Sequence, residues 1–142
     1  MNTASAVAVA VTFCWLGMVL AISFIEAPLK FRAPGVTIPI GLGIGRMVFR
    51  ALNAVEVVFS VVIIVALVVH HASTTVVVAF AVAMAALAIQ LIAVRPKLTQ
   101  RSDAVLAGGS TESRSRAHYV YVAFELVKIV GLLIAGILLF AA

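Results

Sequence analysis

The chain has 142 residues, 65% of them hydrophobic and 11% charged, with a formal net charge of +5. A mean hydropathy of +1.27 means more apolar surface than one small core could bury, which excludes an ordinary water-soluble domain and makes the bilayer the expected solvent. The single cysteine, Cys14, lies in an apolar run, excluding an internal disulfide and a thiolate metal cluster.

A spanning helix needs about 20 apolar residues, and the first stretch of that length runs from Ala4 to Ile25. The residues before it lack the basic n-region of a secretory signal, and the stretch is longer than a signal h-region, so it reads as a retained helix. Thr12, Trp15, Ser23 and Glu26 fall roughly along one of its faces. The connection from Glu26 to Arg46 carries Pro28, Pro34, Pro39 and three alternating glycines, and reads as a loop lying at the membrane interface, the alternative being a segment that dips into the membrane where other protein covers its backbone. The second span is Met47 to Val69, with Arg46, Arg50, Asn53, Glu56 and Ser60 on one helical face at steps of four, three, three and four. A short turn from His70 to Thr74 leads to the third span, Thr75 to Val94, in which Gln90 is the one strongly polar side chain and Ala79, Ala83, Ala85, Ala86 and Ala88 favour close packing. A polar connection from Arg95 to His118 precedes the fourth span, Tyr119 to Ala142, where His118, Tyr121, Glu125 and Lys128 form a second polar stripe. The expected fold is all-α: a single four-helix transmembrane bundle covering residues 1 to 142, as a polytopic integral membrane protein.

Nine of the ten Lys and Arg residues flank the first and third connections, and the second connection has none. The positive-inside rule then places the loops 26–46 and 95–118 in the cytoplasm and both termini outside an inner membrane. The same cations are expected to attract anionic lipid headgroups, which makes nucleic-acid binding unnecessary to explain them. A weak repeat runs through the chain: Pro28 and Pro96, each followed closely by a lysine, lie 68 residues apart, and Glu56 and Glu125 lie 69 apart.

At 1.5 Å per residue, Glu56 and Lys128 are each expected about 15 Å deep and Glu125 about 10 Å deep in a core about 30 Å thick. An ionised side chain at that depth costs roughly 2.5 to 3.5 kcal/mol on insertion scales, so the three are expected to pair or to be partly neutralised. One lysine must then serve two glutamates, and the surplus carboxyl is expected either to share a proton or to meet Arg50 from its own helix. The candidate ligand or proton site is therefore Glu56, Glu125, Lys128, Asn53, Arg50 and Gln90, with Arg46, His118 and Tyr121 as a cationic mouth.

Other chemistry is poorly supplied. His70 and His71 are expected about 30 Å from His118, which leaves no paired axial ligands for a haem and no third ligand for a metal. His118 reads as a cap of the last helix. Gly41, Gly43 and Gly45 have the wrong spacing for a dinucleotide fingerprint. No nucleophile stands with a base, so an enzyme is the least favoured class, and no cofactor is expected.

Trp15-Leu16-Gly17, Glu26-Ala27-Pro28 with Phe31, the stretch Phe49 to Asn53, and His118 ahead of the last helix together resemble the four-span family of the transmembrane protein 205-like type. That resemblance implies the four-span architecture and no established activity. Glu125 and Lys128 depart from it, since a more neutral residue such as asparagine is expected there. The two functional readings are a buried charged site that binds or transports a small polar or amphipathic ligand or protons, and an accessory or assembly subunit whose charges act as helix–helix glue. The first implies a homodimer seam, because four helices leave little room for a wide pore.

Overall fold

The computed structural model describes residues 1–107 and 116–142. It is 91% helical and has no strands among the described residues. Four helices are long and apolar enough to cross a membrane: α1 (Thr3–Arg32), α2 (Ile38–His70), α3, whose candidate span is Thr74–Gln100, and α4, whose candidate span is His118–Ala141. Three of them start at side-chain caps. Asn2 accepts from the Ser5 amide ahead of α1, Thr37 from the Ile40 amide ahead of α2, and Ser73 from the Val76 amide ahead of α3. These side-chain oxygens satisfy amides that the first helical turn leaves unpaired. α2 ends at His71, which adopts a left-handed conformation with φ 55°.

Helix covers more of the connections than the sequence indicated. Much of the Pro/Gly-rich segment expected as a loop is the first turns of α2, with Thr37 as N-cap and Pro39 near the start. A proline fits there because its missing N–H has no intrahelical acceptor in the first turn. The polar stretch after Val94 likewise begins as helix, Arg95–Leu106, continuous with α3. α4 begins at Arg116, so His118 lies inside its first turn rather than capping it. The expected loop residues 108–115 lie outside the described residues.

α1 and α3 both widen into a π-helical turn, Leu20–Glu26 and Gln90–Val94, and in each case a proline follows two residues later, Pro28 and Pro96. Proline removes one backbone hydrogen bond and its ring collides with the carbonyl four residues back, which opens the turn before it. The repeat seen in the sequence thus recurs as a local distortion at corresponding places in two helices.

α1 packs against α2 and α4, and α3 packs against α4. Asn2 Nδ2 lies 3.1 Å from His70 Nδ1, which sets the start of α1 beside the end of α2. The half of the helices toward that end holds an apolar core built from Ala8, Leu16, Ile63, Leu67, Phe80, Leu132 and Leu139. Buried polar side chains other than Ser5 and Thr12 lie nearer the opposite, basic end. Gly131 sets the spacing of α3 and α4: a Cβ there would stand 3.2 Å from the Ala79 carbonyl oxygen and 3.4 Å from the Ala83 Cβ. Gly17 meets nothing within 4 Å. Gly131→Leu should therefore destabilise the protein by about 1 to 3 kcal/mol through overpacking, whereas Gly17→Ala should be neutral or stabilising by up to about 1 kcal/mol. Thermal unfolding of both variants in the same detergent checks this.

Candidate functional site

The four helices each contribute to one buried polar cluster. Lys128 of α4 lies between two carboxylates, with Nζ 2.6 Å from Glu56 Oε2 on α2 and 2.5 Å from Glu125 Oε1 one turn back on its own helix. The lysine and Glu56 are completely buried, and Glu125 nearly so. From α1, the Trp15 indole N–H donates to Glu56 Oε2 at 2.7 Å and the Ser23 hydroxyl donates to Glu125 Oε2 at 2.5 Å. From α3, Gln90 Nε2 donates to Glu125 Oε1 at 2.9 Å and to the Tyr121 carbonyl at 3.1 Å. Toward the basic end the Tyr121 hydroxyl donates to Asn53 Oδ1 at 3.4 Å, a long contact. Two buried acceptors of the cluster, Glu56 Oε1 and Gln90 Oε1, have no hydrogen-bond partner among the described residues.

Local structure explains why these groups meet. Glu125 and Lys128 are three apart on a helix and so lie on one face. Gln90 opens the π turn of α3, and Ser23 lies within that of α1. A π turn rotates the following side chains relative to a regular helix, and such turns recur at functional positions. Both distortions thus fall at the residues that reach Glu125.

Glu56, Glu125, Lys128 and Gln90, named from the sequence, come together directly, and Asn53 joins through Tyr121. Arg50 does not. It is exposed, lies toward the basic end, and makes no ion pair with Glu56. The expected mouth is also arranged differently: Tyr121 is buried within the cluster, Arg46 pairs with Asp103 at 2.6 Å, and His118 packs edge-on to Tyr119 with ring centroids 5.9 Å apart. Trp15 and Ser23, which the sequence placed on a polar face of α1 without assigning them to the site, are direct carboxylate partners. A lone tryptophan in the middle of an aliphatic span is the signal for the first, because tryptophan otherwise prefers the two interfaces.

No family model, curated protein or solved structure matches this chain. The chemistry of the cluster limits what it can do. It holds two acids and one base, all enclosed, so a second positive charge balances it: a proton or a cationic group. Each ionised group left without that balance would bear the cost of desolvation uncompensated.

Removing the shared base leaves two adjacent acids in an apolar setting. Lys128→Met should cost about 3 to 5 kcal/mol, and the loss should grow from pH 5 to pH 9, because the folded variant then needs protons on both carboxyls that the unfolded chain gives up as pH rises. Combining Lys128→Met with Glu56→Gln and Glu125→Gln should recover most of that loss. Thermal unfolding in detergent across this pH range reads both effects.

Proposed function

We propose that this chain is a multi-pass protein of the inner membrane, a four-helix bundle with both termini outside, whose Glu56–Lys128–Glu125 cluster binds and exchanges a proton. Membership of the transmembrane protein 205-like family belongs to this proposal, as does the absence of any catalytic role. The observation that carries it is the excess of one buried acid over base, together with the unpartnered Glu56 Oε1. Ionisable groups enclosed among apolar helices commonly mark ion or proton pathways. A proton fits the cluster better than a bulky ligand does, since Lys128 touches both carboxylates directly and all three side chains are shielded from solvent.

The two sides of the cluster differ. The apolar core separates it from the His70 end, while Asn53, Tyr121 and Gln90 lead toward the basic end. This asymmetry supports proton exchange with the cytoplasmic side, with release to the other side requiring a second arrangement of the helices. Coupling of that proton to a small polar or amphipathic ligand, at a seam between two copies, is the larger activity this reading accommodates.

A second reading has its own support: the cluster takes side chains from all four helices and so serves as the joint between them, as expected of an accessory or assembly subunit of a larger membrane complex. Purified protein in liposomes with an entrapped pH-sensitive dye separates the two. Under the first reading the protein collapses an imposed pH gradient faster than protein-free liposomes, and Glu56→Gln or Glu125→Gln abolishes the difference. Equal rates in wild type and both variants would leave the cluster as a joint.

A further inference from the structure

The basic end of the molecule holds a second charge imbalance, separate from the buried cluster. Phe49 of α2 is flanked by two cations: the Lys30 ammonium lies 5.7 Å from its ring centroid and the Arg95 guanidinium 6.0 Å. Lys30 also lies 5.6 Å from the Phe31 ring. Arg95 in turn feels Arg50 and Arg46 as like charges. Against these four cations the described residues supply Asp103, which takes Arg46 at 2.6 Å, and Glu26, which is 3.6 Å from Lys30 and makes no hydrogen bond through that oxygen. Among the described residues no acidic side chain pairs with Arg50 or Arg95. The aromatic ring offsets part of the repulsion, and two guanidinium groups remain to be balanced.

We propose that Arg50 and Arg95, beside Phe49 and with Lys30, form a binding site for a phosphate ester. Guanidinium groups offer paired N–H donors that match phosphate oxygens. Arg95 lies near the end of the apolar part of α3 and Arg50 on the same end of α2, the level at which lipid phosphates sit. Exposed apolar side chains adjoin both: Ile92 is 78% exposed one turn before Arg95, and Met47 is 75% exposed one turn before Arg50. Those side chains suit acyl chains descending from a lipid headgroup, and a soluble phosphate ester would use the same arginines without them. The nine cations of the two basic connections attract anionic lipid in a diffuse way; this site differs in assigning recognition to two residues and one ring.

The test uses the full-length protein in a neutral detergent and follows its unfolding midpoint with dioctanoyl phosphatidic acid, dioctanoyl phosphatidylglycerol, dioctanoyl phosphatidylcholine, or inorganic phosphate against chloride at matched ionic strength. The anionic lipids should raise the wild-type midpoint by about 4 °C at tenfold excess over Kd. That rise should be lost in Arg50→Gln and Arg95→Gln and kept in Arg32→Gln and Lys97→Gln, which remove exposed cations outside this group. Without added phosphate, Arg50→Gln and Arg95→Gln should unfold no earlier than wild type, since each removes an unbalanced charge, so loss of the response is not loss of the fold. A rise with lipid alone identifies a headgroup site; an equal rise with inorganic phosphate identifies a site for soluble phosphate esters. No rise with any phosphate compound, or equal losses in all four variants, overturns the proposal. Its outcome is independent of the buried cluster, whose residues the experiment leaves intact.

Discussion

The ammonium of Lys128 between the Glu56 and Glu125 carboxylates is the contact on which the arrangement of the helices depends. Helices surrounded by lipid have no hydrophobic force to draw them together, so polar contacts and close packing set their register. Here the register is set at one level. Trp15 fixes α1 to Glu56, Ser23 fixes α1 to Glu125, and Gln90 fixes α3 to Glu125. Moving any helix by one residue would rotate its contributor away and leave a buried charge or donor unpaired, at a cost of roughly 1 to 3 kcal/mol for each group. Above this level small residues take over, with Gly131 set close against the α3 backbone.

The two π turns are how two ordinary helices were fitted to that cluster. Each precedes a proline, and each includes a residue that donates to Glu125. The proline that ends regular hydrogen bonding therefore also follows a turn that orients a side chain of the cluster. The recurrence of this device in α1 and α3, at the spacing of the sequence repeat, gives the two hairpins a common local design. Their chemistry has nonetheless diverged: Glu56 receives an indole and the shared lysine, while Glu125 receives a hydroxyl, an amide and the same lysine.

Much of the fold was legible because a span must be long and apolar, and four such stretches stand out. Helix boundaries were less so, because Pro39 and the glycines around it read as a loop when they occupy the tolerant first turns of α2. Within the site, Glu56, Glu125, Lys128 and Gln90 were legible from the cost of placing polar groups at that depth, and the three-residue spacing of Glu125 and Lys128 gave one of the pairings. Arg50 was misplaced because helical periodicity alone puts it on the face of Glu56, whereas its long side chain is exposed toward the basic end. Trp15 and Ser23 were legible as one polar face of α1 but not as partners of the carboxylates, because their acceptors lie on α2 and α4 and the spacing within one helix does not say which helix its polar face meets.

On the proposed reading the enclosed cluster carries a proton as well as its lysine. Infrared difference spectroscopy of the wild-type protein against Glu56→Gln and Glu125→Gln, in membranes at pH 7, reads this directly through the C=O stretch of a protonated carboxyl group. The wild type should show such a band, shifted in deuterium oxide and lost in at least one of the two variants. A wild-type spectrum showing only ionised carboxylates, unchanged in band position by either substitution, would contradict it.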